Sequence, residues 1–167
     1  MKRWLRFTAA VLAAAFLFAL TGCGSSTNSA SFTWFVDSIP ANLDPQVASG
    51  ASDVIACENL YGTLVRKSPD GELVPGLCEK WTVSSDGLTY TFTLKDGLRY
   101  AAAKGAATEY DITAEDFVFA FRRIFRADTA SPYAVEFSAI QNSAAVQAGL
   151  ADESSLGVSA NGALSLV

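Results

Sequence analysis

Ser84-Ser85-Asp86-Gly87-Leu88-Thr89-Tyr90-Thr91-Phe92-Thr93-Leu94 decides the fold class of this chain. Leu88, Tyr90, Phe92 and Leu94 alternate with Thr89, Thr91 and Thr93. A period of two sends successive side chains to opposite faces, so the run predicts a half-exposed antiparallel strand. Ser84–Gly87 predicts the hairpin turn before it, and Glu79-Lys80-Trp81-Thr82-Val83 lies upstream of that turn. Asp96-Gly97 ends the strand.

Outward from this hairpin the same punctuation recurs. Pro69-Asp70-Gly71 predicts a turn, because proline presets one backbone angle and glycine tolerates the left-handed one. Pro75-Gly76 breaks the chain again. Further upstream, Phe32-Thr33-Trp34-Phe35-Val36 is aromatic and β-branched and predicts a first strand. The segment from Ile39 to Pro45 interrupts it. Ser52 or Asp53 then caps a helix whose buried side is expected from Val54, Ile55, Leu60, Tyr61 and Leu64. Downstream, the Ala/Gly-rich stretch Ala101–Ala107 reads as a loop. Thr113-Ala114-Glu115-Asp116 opens a helix with a variant capping box, and Phe117, Ala120, Phe121, Ile124 and Phe125 form its expected apolar stripe. Arg122, Arg123 and Arg126 crowd its far end, where the helix dipole favours cations; a solvated helix end is expected there rather than an anion site. Ser131-Pro132-Tyr133 stops the helical region, and a weaker helix is expected from Ser143 to Gly149. After the turn at Asn161-Gly162, Ala163–Val167 starts an alternating strand, as if the chain were cut inside a sheet. The class is mixed, α+β or α/β, with antiparallel hairpins.

The start of the chain carries an address. Lys2, Arg3 and Arg6 precede a largely apolar run of 14 residues, Phe7–Leu20. That is the layout of a secretory signal, and it is short of the roughly 20 residues a membrane span needs. Leu20-Thr21-Gly22-Cys23 resembles the lipobox of bacterial lipoprotein signals, which implies cleavage after residue 22 and lipidation of Cys23. Residues 23–31 are small and polar and read as a flexible linker.

Composition excludes several functions. Removing residues 1–22 leaves 9 basic against 17 acidic side chains, a balance of −8, and the chain has no histidine. An acidic body offers no electrostatic footprint for nucleic acid, and anchoring at a bilayer falls to the lipid. Without histidine the commonest general base and metal ligand is missing. Neither a Gly-x-Ser-x-Gly elbow nor a specially placed carboxylate pair appears. Glu115 and Asp116 suit the first turn of a helix better than acid–base work. The expectation is a protein without catalytic residues, cofactor or metal.

A family resemblance rests on seven pieces in order. They are Asn42-Leu43-Asp44-Pro45, Asn59-Leu60-Tyr61, Val74-Pro75-Gly76-Leu77, Trp81 with Ser84–Phe92, Thr113–Val118, Ala130-Ser131-Pro132-Tyr133-Ala134 and Leu156-Gly157-Val158. Together, behind a lipobox, they resemble the N-terminal part of the extracytoplasmic peptide-binding proteins of ABC importers, the solute-binding family 5. The resemblance implies a periplasmic-binding-protein type II architecture of two lobes plus an additional domain. Residues 32–61 would start the main ligand-binding lobe, and residues 62–167 would be the additional domain, truncated at its C-terminal end. Members are about three times longer, which implies that only an N-terminal fragment is present here. It implies, too, that peptide backbone is held by main-chain bonds from Ala48, Ser49, Gly50 and Ala51, with Ser52 following, and that Tyr133 lines the cleft. Small side chains suit such close backbone approach. The implied partners are a peptide ligand, permease and ATPase subunits and, through the lipid, the membrane; other solutes (a nickel chelate, haem, a sugar) and a non-transport sensor role stand as alternatives. Cys57 and Cys78 leave two options open: a disulfide outside the membrane, contributing about 3 kcal/mol, or two separate buried thiols. Two thiols without histidine do not complete a metal site.

Overall fold

Glycine-containing turns organise two antiparallel hairpins. The computed structural model describes residues 33, 35, 37–102 and 110–167. Those from 37 onward belong to one compact unit spanning 36–167. Along that unit run α1 (Ala51–Leu60), β1 (Val65–Lys67), β2 (Leu73–Pro75), β3 (Cys78–Val83), β4 (Tyr90–Leu94), α2 (Ala114–Ile124), α3 (Ser143–Gln147) and β5 (Ser165–Leu166). Short 3-10 turns cover Ala134–Phe137 and Glu153–Ser155. The signal and linker with Cys23, most of the strand expected at 32–36, and residues 103–109 of the loop region lie outside the described residues.

The β3–β4 turn forms as its residue types dictate. Asp86 Oδ1 accepts from the Leu88 N–H at 3.0 Å and from the Ser84 hydroxyl, while Gly87 takes φ +75°. Register then follows, with Val83 opposite Tyr90, Trp81 opposite Phe92 and Cys78 opposite Leu94, across an irregularity between Cys78 and Lys80. The other hairpin pairs Val65 with Pro75 and Lys67 with Leu73 around the expected Pro69–Gly71 turn. β5 adds to β4 antiparallel, placing Leu166 opposite Phe92, so the larger sheet has the order β3-β4-β5.

α2 packs beside β5, and the Ala114 N–H donates to the Ala163 carbonyl at 2.8 Å. The capping box is present: Asp116 Oδ2 accepts from the Thr113 N–H at 2.7 Å. Leu94 and Leu166 from the sheet meet Ala114, Val118, Ile124 and Phe125 from the helix, and Ala134, Val146, Leu156 and Val158 close the cluster. α3 matches the helix expected after residue 143.

Three expectations are corrected. The buried side of α1 is Ser52, Asp53 and Cys57, whereas Val54 and Leu60 are exposed, Leu60 at 62 %. Hydrogen bonds help to seat this helix: Ser52 Oγ accepts from the Ser38 hydroxyl at 3.0 Å and Asp53 Oδ1 from the Ala41 N–H at 2.7 Å. On α2 the fully buried positions include Ala114 and Val118, with Phe117 and Phe121 only half-buried at the margin of the core. Ile124 and Phe125 of the expected stripe are buried as predicted. Burial on β4 does not alternate but rises along the strand: Leu88, just before it, and Tyr90 are exposed, Thr91, Phe92 and Thr93 are half-buried, and Leu94 is buried.

Candidate ligand-binding segment

The segment from Asn42 to Gly50 is shaped by local polar contacts. Asn42 Oδ1 accepts from the Asp44 N–H at 2.8 Å, and Asp44 Oδ1 accepts from the Gln46 N–H at 3.0 Å. Such contacts let Asn and Asp make turns with their own backbone. The Asp44 carbonyl then accepts from the Val47 and Ala48 N–H groups at 3.1 and 2.9 Å.

Long-range bonds fasten this turn to the body. Arg123, on the last turn of α2, grips Asp44 with both guanidinium nitrogens, Nη1 at 3.0 Å from Oδ1 and Nη2 at 2.5 Å from Oδ2. Nη1 also donates to Gln46 Oε1 at 2.9 Å. Gln46 Nε2 donates to the Ala120 carbonyl at 2.7 Å. The Ser131 hydroxyl donates to the Gln46 carbonyl at 2.6 Å, and the Tyr133 hydroxyl donates to the Ala48 carbonyl. Arg126 pairs with Glu153 at 3.0 Å. The expectation of a solvated arginine end is therefore corrected: two of the three arginines hold the chain's own carboxylates.

The structure thus brings Tyr133 and Ala48 together through one hydrogen bond. Ala48 is 2 % exposed and both its main-chain groups are engaged within the chain. Ser49, Gly50 and Ala51 are exposed beside it. Among the described residues no hydrogen bond engages the Ser49 amide or carbonyl, and the Gly50 carbonyl accepts from Val54 at 2.9 Å as α1 begins. The exposed main chain of this segment is thus that of Ser49 and Gly50, while that of Ala48 is buried. Ser52 is buried against Ser38.

The Arg123 hydrogen bond holds the Asp44 carboxyl below its ordinary value against the opposing effect of burial, with the Gln46 amide and the charge of Arg123 adding to the lowering. Arg123 is raised by the same hydrogen bond. A lowered folded-state pKa gives stability that is present above the unfolded value of about 3.9 and lost as pH falls through the folded value. Acid unfolding followed by circular dichroism is therefore expected to fall less steeply below about pH 4 in Asp44→Asn than in the parent chain. Identical slopes would show that the pair is not formed in solution.

Cys57 and Cys78 are both buried, and in the structure they are not bonded to each other. Burial pushes the Cys57 thiol up, and the charges of Asp53 and Asp44 push the same way. Among the described residues no group of histidine, cysteine and carboxylates is arranged to hold a metal ion. No helix among them is long and apolar enough to cross a membrane.

The chain belongs to the bacterial extracellular solute-binding proteins, family 5, whose model (described as the family 5 middle region) matches residues 72–166. It is 35 % identical over 123 residues to the periplasmic murein peptide-binding protein MppA of Escherichia coli K12, covering 72 % of this chain and 22 % of that protein. It is 32 % identical over 117 residues to heme-binding protein A of Haemophilus influenzae, covering 69 % of this chain and 21 % of that protein. The solved structure of E. coli MppA superposes with a TM-score of 0.66 at 36 % identity, over 76 % of this chain and 24 % of that one. Haemophilus influenzae OppA in complex with the peptide RPPGFSPFR superposes with a TM-score of 0.65 at 28 % identity, over 76 % and 24 %. The chain therefore spans about a quarter of the length of these relatives, and the two-lobed fold of which it forms an N-terminal part is that of the periplasmic binding proteins.

Proposed function

We propose that this chain is the opening part of a solute-binding lipoprotein that captures oligopeptides outside the membrane and delivers them to the permease and ATPase subunits of an ABC importer. The observation that carries this is the Ser49–Gly50 main chain, exposed and largely unspent, held on a body of family 5 fold. Main-chain pairing reads no side chain, which suits a receptor for peptides of many sequences. The relatives named for murein peptide and the one solved with a nonapeptide support the choice of ligand. The protein does no chemistry on what it binds. Cleavage after Gly22 and lipidation of Cys23 tether it to the bacterial membrane on the extracytoplasmic side. Residues 32–61 belong to the main lobe, 62–167 to the additional domain, and Tyr133 borders the cleft.

A second solute class is favoured by one finding, the similarity to a heme-binding protein. Calorimetry of the protein at its full encoded length separates the two. Peptides from a mixed library are expected to bind, and residues 23–167 alone are expected to bind none, since the opposing lobe of the clamp is not among them. Binding of haem or another non-peptide solute with no peptide binding would sink the peptide assignment. Labelled palmitate is expected in the parent protein and not in Cys23→Ser; equal labelling would remove the anchor from the proposal.

A further inference from the structure

We propose that Arg123 is a positioning residue, which from α2 sets the place of the Asp44–Ala48 turn and hence of the Ser49–Gly50 main chain that follows it. This rests on reading Ser49–Gly50 as ligand-facing, and it assigns the region after residue 62 the task of holding that edge still.

The Asx contacts of Asn42 and Asp44 give the turn its shape but not its location, because all of them lie within the segment itself. Location comes from outside. Gln46 is the hub: its Oε1 accepts from Arg123, its Nε2 donates to the Ala120 carbonyl, and its main-chain carbonyl accepts from Ser131. Amide oxygen and nitrogen each meet a complementary group, so the Gln46 side chain has one satisfied orientation. Arg123 fixes that orientation while its fork closes on Asp44. A planar guanidinium can serve both acceptors at once, which the point charge of lysine cannot do with the same geometry. The pair is about one-third exposed on each side, 31 % for Arg123 and 29 % for Asp44, so solvent screens its charge attraction and the geometric constraint is the larger effect. One residue after the last fastened carbonyl, at Ala48, the chain becomes free to pair. A shift of the turn is passed directly to Ser49.

Hydrogen exchange of the full chain, read by mass spectrometry without ligand, tests this in Arg123→Ala and Arg123→Lys. The Val47 and Ala48 amides, which donate to the Asp44 carbonyl, are expected to exchange at least tenfold faster in Arg123→Ala. Arg123→Lys is expected to fall between that variant and the parent, and the amides of the β3–β4 ladder are expected to keep their rates. Turn amides at parental rates in both variants would overturn the proposal. So would acceleration at the turn only in step with the ladder, because a residue that merely stabilises the whole body moves both. The lysine variant keeps the test decisive should the alanine chain not fold. Since no ligand enters the experiment, its outcome does not depend on whether the protein binds peptide.

Discussion

Leu94→Ala is expected to lower the unfolding free energy by about 3 kcal/mol, while Leu88→Ala changes it by less than about 0.5 kcal/mol. The two leucines belong to one alternation in the sequence, but Leu88 lies in the turn before β4 and Leu94 at the far end of that strand, and packing separates them. Leu94 is 1 % exposed, opposite Cys78 on β3 and clustered with Leu166, Val118 and Ala114, whereas Leu88 is 83 % exposed at the hairpin end. Truncating Leu94 removes its transfer free energy and leaves a cavity between sheet and helix that both are too rigid to fill. Urea denaturation of the two variants, compared at equal slope, is the measurement. Equal losses would mean that the apolar face of β4 is covered along its whole length in solution.

Gly76→Ala is expected to destabilise by about 1–3 kcal/mol, the usual cost of forcing an extra methyl group into filled space. A Cβ built on Gly76 lies 2.2 Å from the Thr63 carbonyl oxygen and 3.1 Å from that of Leu64. Both obstacles are main chain and cannot swing aside. The Leu64 carbonyl is itself fixed by the Gly76 and Cys78 amides at 2.9 and 3.1 Å. Relief therefore requires moving the whole crossing where β1 begins and β2 ends. Thermal unfolding beside Gly71→Ala provides the comparison. Nothing lies within 4 Å of a Cβ on Gly71, and its φ of +86° imposes only the left-handed cost of about 1–2 kcal/mol. A Gly76→Ala chain as stable as the parent would show that the two strands stand further apart at this point.

Turn chemistry and strand alternation were legible because they are local. Pro69–Gly71, Ser84–Gly87 and the Thr113–Asp116 box each satisfy their own backbone within a few residues, so residue type and spacing are enough to place them. The side of α1 that is buried was not legible. Ser52 and Asp53 are buried because Ser38 and Ala41 bond to them, and periodicity of apolar residues carries no trace of that. At the candidate site, the expectation for Ala48–Ala51 and Tyr133 came from family resemblance and not from the residues alone. Arg123, Gln46 and Ser131 were missed as parts of one arrangement. Asp44 and Arg123 stand 79 positions apart, and an arginine at a helix end already has a sufficient local explanation in the dipole. The available signal was the Asp-Pro turn itself, whose acidic side chain had no cationic partner nearby in sequence.

β5 has a bearing on how the chain acquires its structure. The two hairpins close over a handful of residues, but Leu166 must find Phe92 across more than seventy. Loop-closure entropy makes that last pairing about 2 kcal/mol more costly to initiate than a hairpin. The hairpins are thus the pieces expected to close first, and the pairing of β5 with β4 is the non-local step. Until it docks, Leu94 lacks its neighbour Leu166 in the core. Completion of the hydrophobic cluster is therefore expected to follow the hairpins, as the step that carries the larger loop-closure cost.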